Sequence, residues 1–114
     1  MDFDEKVVKR IKEQLETASD IIKDADVVKL RKEENRFTKL SYDLETLTGY
    51  MDSLSAADVK EIQELADLII VELTDKTMSG EITMESLRSL EFLTDVVSIL
   101  SEVSAKFGYH LSQN

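Results

Sequence analysis

The chain has 114 residues and a net charge of −10, with 24 acidic side chains against 14 basic ones, so it lacks the basic footprint that binding a nucleic-acid backbone requires. Cysteine is absent, which excludes disulfides, thiolate metal sites and a cysteine nucleophile. Proline is absent as well and glycine occurs only three times, a composition that favours helices over sheet.

This length suits one domain, and the missing cysteines fit a reducing compartment such as the cytoplasm. The opening segment, MDFDEKVVKRIKEQ, is charged throughout and reads as neither a secretory signal nor a membrane anchor. The longest apolar run, residues 68–71, falls far short of the roughly 20 residues that span a bilayer. The charge is uneven: residues 61–114 hold ten acids and three bases (Lys76, Arg88, Lys106), net −7, against net −3 for residues 1–60.

A first helix is expected over about residues 4–24, beginning near Asp4. Val8, Ile11, Leu15, Ala18 and Ile22 form its apolar stripe, flanked by Val7 and Ile21. Lys9–Glu13 and Lys12–Glu16 are pairs four apart on its outer face. A break follows at Lys23-Asp24-Ala25-Asp26, where Asp26 can cap a second helix, although one long bent helix would also satisfy the pattern.

The second helix, expected over about residues 27–52, carries a heptad-like seam. Leu30, Phe37, Leu44 and Met51 make one row, and Leu40, Leu47 and Leu54 the other, with Glu33 as a polar intruder in the second row. Gly49 lies within the seam and weakens it locally. The short polar link after it predicts that the second and third helices are antiparallel neighbours.

The third helix, about residues 56–77, has both ends marked. Ser55 is a good N-cap with Asp58 three residues on, and Gly80 is a plausible stop. Val59, Ile62, Ala66, Ile69 and Leu73 make the core face. Leu65, Leu68, Ile70 and Val71 widen it until the middle of the helix calls for cover on most sides. The last helix, about residues 84–107, starts at Thr83 as cap. Its stripe is Leu87, Leu90, Leu93, Val97 and Leu100, widened by Phe92, Val96, Ile99 and Val103, and Gly108 is its expected end. The expected architecture is all-α: a four-helix antiparallel bundle in one domain.

Chemistry-bearing residues are few. Glu61, Glu64 and Asp67 recur every three residues on the third helix, and oxygen ligands grouped in this way suit magnesium. Glu64-Leu65-Ala66-Asp67 resembles one half of the metal site of MazG-like nucleoside triphosphate pyrophosphohydrolases, small acidic helical proteins that commonly pair up. In that family the preceding helix carries two glutamates followed by a third after two residues. Glu33 and Glu34 match the first two, but Phe37 stands where the third should be, and Arg36 and Lys32 put positive charge beside it. The resemblance implies a magnesium cofactor held by Glu61, Glu64 and Asp67.

His110 is the only histidine and falls in the expected tail, so no Ser–His–Asp arrangement can be drawn. Residues 29–39, KLRKEENRFTK, hold five bases interrupted by Glu33 and Glu34, a candidate contact for an acidic surface, including that of another copy. Phe92, Phe107 and Tyr109 could form a binding patch, although the two phenylalanines suit the core.

With no complete catalytic or metal constellation, the preferred reading is a non-enzymatic protein-interaction module, a regulator or inhibitor. Its partner would be a protein with a basic surface, or a second copy in a homodimer. An inhibitor of a host nucleic-acid enzyme encoded by a phage or mobile element is one concrete form. The pyrophosphohydrolase is the alternative. A self-assembling structural or immunity-type helical bundle is a third.

Overall fold

Four long helices and two short ones are built by the described residues. The computed structural model describes residues 5–24 and 26–113. Its elements are α1 (Glu5–Asp24), α2 (Val27–Lys32), α3 (Glu34–Thr48), α4 (Ala56–Met78), α5 (Met84–Ser89) and α6 (Glu91–Ser112), with a 3₁₀ turn at Met51–Ser53. No strand occurs among the described residues, and none of their helices is long and apolar enough to cross a membrane. The expected start of the first helix at Asp4 lies outside the described residues.

The core stripes of α1 and α4 are those the periodicity predicts. Val8, Ile11, Leu15, Ala18 and Ile22 are buried on α1, and Val59, Ile62, Ala66, Ile69 and Leu73 on α4. The seam residues Leu30, Phe37, Leu40, Leu44 and Leu47 are buried too, while Met51 and Leu54 are only half-buried. Each large aliphatic side chain taken fully out of water contributes about 1.5–3 kcal/mol, so this shared core is the main source of stability.

The helix expected over residues 27–52 is in fact two helices, and Glu33 explains why. A continuous helix would aim its carboxylate into the seam, where an unpaired charge is costly. Instead the backbone leaves helical geometry at Glu33 (φ −98°, ψ 14°), and Arg36 Nε meets its carboxylate at 3.0 Å. Asp26 caps α2 by accepting from the Lys29 amide at 2.9 Å, so α1 and α2 are separate helices. The helical run ends at Thr48, and Gly49 is its C-cap rather than a member of the seam.

The last expected helix is likewise split, at Leu90 (φ −102°, ψ 79°), whose side chain is buried. The break shifts the phase of α6 relative to α5. Val96, Ile99, Leu100, Val103 and Phe107 are buried on α6, while Val97 is only half-buried. Gly108 does not stop the helix, which runs through it to Ser112. A Cβ at 108 would lie 3.1 Å from Nε2 of Gln63, so this glycine sits at a close approach of α6 to α4. Gly80 does act as the expected stop, with φ +81° after the α4 cap Ser79. The chain then folds back, the Ile82 amide donating to the Lys76 carbonyl at 3.1 Å, and Ile82 enters the core.

The long helices alternate in direction along the chain, giving a four-helix antiparallel bundle, but their order around it corrects one expectation. The extensive contacts are α4 with α6, α3 with α6 and α1 with α4, and α1 meets α3 more lightly. The consecutive helices α3 and α4 are therefore diagonal, not neighbours. Lys12 pairs with Asp58 and Ser19 with Glu72, so α1 and α4 run parallel. Gln63 lies against Gly108 and Asp67 against Ser104, so α4 and α6 run antiparallel. Phe37 packs on Phe92 near the start of α3 and α6, with ring centroids 6.0 Å apart, and the cleft joining Ser41 and Glu45 to Asp95 and Glu102 shows that this pair is also parallel.

Candidate functional site

The acidic triplet of α4 is on a helix face that diverges. At 100° per residue, Glu61 and Asp67 differ by about 120° around the axis. Glu61 turns to α1, where Lys12 Nζ lies 2.8 Å away. Asp67 turns to α6 and accepts a hydrogen bond from Ser104 Oγ. Glu64, between them, is exposed. Among the described residues no group of three acidic or imidazole side chains is arranged to hold a metal ion. The second half of the resemblance is also remote: Glu33 and Glu34 lie at the start of α3, which is diagonal to α4. Phe37 is fully buried, with no carboxylate in its place.

At the start of α4 the sequence pattern is met and exceeded. Ser55 Oγ accepts from the Asp58 amide at 3.1 Å, capping the helix. Asp58 itself receives Lys12 Nζ at 2.6 Å, so Lys12 leaves the expected partner on its own helix and ties α1 to α4. The hydrogen bond from Lys12 is the main reason that the Asp58 carboxyl is held below its usual range. Burial alone would lower the Lys12 pKa and is the largest single influence. The hydrogen bonds and charges of Asp58 and Glu61 together outweigh it and raise that pKa.

A second polar link, which no sequence signal marked, joins the same two helices further along. Ser19 is buried and its Oγ lies 2.8 Å from both carboxylate oxygens of Glu72. Lys23 Nζ is 3.4 Å from the same carboxylate, which is only 10% exposed. The buried hydroxyl and the nearly buried carboxylate thus satisfy each other, as burial demands.

His110 is not in a tail. It occupies the last turn of α6, and its Nδ1 lies 3.8 Å from Asp52 Oδ1 in the link between α3 and α4. Phe107 is buried and Phe92 half-buried against Phe37, so of the expected aromatic patch only Tyr109 is exposed.

The outward stripe of α4 differs most from an ordinary solvated face. In order it reads Glu64, Leu68, Val71, Asp75 and Met78, all exposed. Leu68 is 42% exposed and Val71 52%, so the middle of the helix lacks the cover that its composition calls for. Half-buried Leu65 and Ile70 extend this apolar ground on either side. Carboxylates stand beyond it at both ends, an apolar centre with a charged rim.

Compared with protein-family models, curated proteins and solved structures, the chain matches none.

Proposed function

We propose that this protein is a non-enzymatic interaction module, a regulator or inhibitor, that presents the outer face of α4 to a protein partner. The observation that carries this reading is the pair Leu68 and Val71, exposed side by side between Glu64 and Asp75. Such a face fits a partner with an apolar contact ringed by lysine and arginine. Opposite charge speeds the encounter, and burial of the apolar centre supplies the affinity.

A second copy is a poorer partner for this face. Pairing it with itself would bring the carboxylates of two chains of net charge −10 together around the contact. A partner of basic surface meets no such repulsion.

The test is affinity capture from the native host with the wild-type chain and with the Leu68→Glu/Val71→Glu variant as baits. The expected result is a protein of basic surface retained by the wild type, weakened at high salt and lost with the variant. Tyr42→Ser, an exposed change on α3, should retain it. Equal recovery by all baits, or recovery of nothing at low and physiological salt, would overturn the reading.

A further inference from the structure

The lightly packed side of the bundle, between α1 and the α2–α3 segment, holds an open groove of about 540 Å³. It is lined by Arg10, Gln14, Lys32, Glu33, Asn35, Arg36 and Lys39. Four of these seven residues are cations, in a protein with ten more acids than bases. Lys32 at the end of α2 and Arg36 and Lys39 on α3 line one side, and Arg10 reaches in from α1. Only one carboxylate lines the groove, that of Glu33, and Arg36 pairs with it. Among the described residues Arg10, Lys32 and Lys39 have no carboxylate within 4 Å. Nothing in the fold requires this concentration of positive charge, because the cations are exposed and the core lies behind them.

We propose that this groove binds a compact oligophosphate, such as the di- or triphosphate group of a nucleotide. Two guanidinium groups suit bidentate contacts to phosphate oxygens, and the two lysines add charge that can adjust to them. The volume lies in the range of small-molecule sites. The position of nearby carboxylates argues for a compact ligand over a long acidic segment. Asp43, which accepts from Gln14 Nε2 at 3.1 Å, stands beside the cationic stretch. At the other end Lys32 and Glu33 are shared with a second hollow of about 390 Å³, lined also by Thr17, Asp20, Ile21, Asp24 and Lys29, so that two further carboxylates stand there against one further cation. An acidic helix laid along the whole groove would meet these carboxylates. A nucleotide would place its phosphates on the cations and its uncharged part over Ile21, with Asp20 and Asp24 open to its hydroxyl and amino groups.

The experiment is a titration of the full chain, monitored by backbone-amide NMR and calorimetry, with triphosphate, ATP without added metal, and a poly-glutamate peptide. Triphosphate should shift the amides of residues 10 and 32–39 saturably, and ATP should extend the shifts to residues 17–24. Arg36→Gln/Lys39→Gln should keep the melting temperature and weaken both ligands at least tenfold, the loss expected from removing charge-assisted contacts. Weak binding that this variant leaves unchanged would mean an adventitious ion only and would overturn the proposal. So would a poly-glutamate peptide that binds more tightly than triphosphate. Substitutions at Leu68 and Val71 should leave these titrations unaltered, so the groove and the outer face of α4 fail or succeed separately.

Discussion

Lys12 reaches from α1 to Asp58 at 2.6 Å, and Asp58 is also part of the cap that starts α4. One contact thus joins a helix start to its parallel neighbour. Removing it by Lys12→Met should cost about 1 kcal/mol at neutral pH, the upper end for a partly exposed pair. The midpoint of a thermal melt should fall by up to roughly 4 °C for a chain of this size.

The same contact sets a pH dependence at each extreme. The Asp58 carboxyl titrates below its ordinary value of 3.8, so its contribution is complete above that value and is lost as pH falls through the lowered one. The Lys12 amine titrates above 10.5, so its contribution is complete below that value and is lost as pH rises through the raised one. Urea melts across pH should show shallower losses at both extremes for Lys12→Met than for the wild type. Parallel curves would remove the linkage.

Ser19→Ala leaves the nearly buried Glu72 carboxylate with Lys23 alone. The expected loss is about 1–3 kcal/mol. The double variant Ser19→Ala/Glu72→Leu should recover part of it, because no buried polar group is then left without a partner. A denaturant double-mutant cycle reads the coupling. Additive losses would mean that the two side chains do not support each other.

Two glycines should respond in opposite directions. Gly80→Ala forces a side chain into a backbone with φ +81° and should cost about 1 kcal/mol. Gly108→Ala removes a glycine from the body of α6, a gain of up to about 1 kcal/mol. The obstacle is the far end of the flexible Gln63 side chain, which can move aside. A small net gain is expected, and Gln63→Ala beside it should enlarge the gain. A loss would show that Gln63 is held in place.

Periodicity made much of this fold legible. The stripes of α1 and α4 could be read residue by residue because nothing interrupts either helix. The seam of α3 was also readable, and its one flaw, Glu33, coincides with the break. Leu90 gave no such warning: it is apolar and buried, so the pattern ran on across it and placed Val97 where Val96 belongs. The diagonal placement of α3 and α4 was not legible, because a short polar link allows either arrangement. Ile82 reads as part of a loop in the sequence, since only the turn at Gly80 carries it inward. The acids of α4 were visible as a row, but spacing alone did not show that they face different helices. Arg10 and Gln14 carried no signal, because their groove needs α1 and α3 side by side.

The diagonal arrangement makes the chain a pair of helical hairpins, α1 with α3 and α4 with α6. The link between them, residues 49–55, contains no buried residue. Most of what holds the hairpins together is therefore side-chain packing across the α1–α4 and α3–α6 faces, not the peptide bond that joins them. Cut within that link and expressed as two fragments, the halves should find each other and restore the helical signal that neither gives alone. By the same logic two intact chains should be able to trade hairpins, and size-exclusion chromatography after concentration should show an exchanged species that returns slowly on dilution.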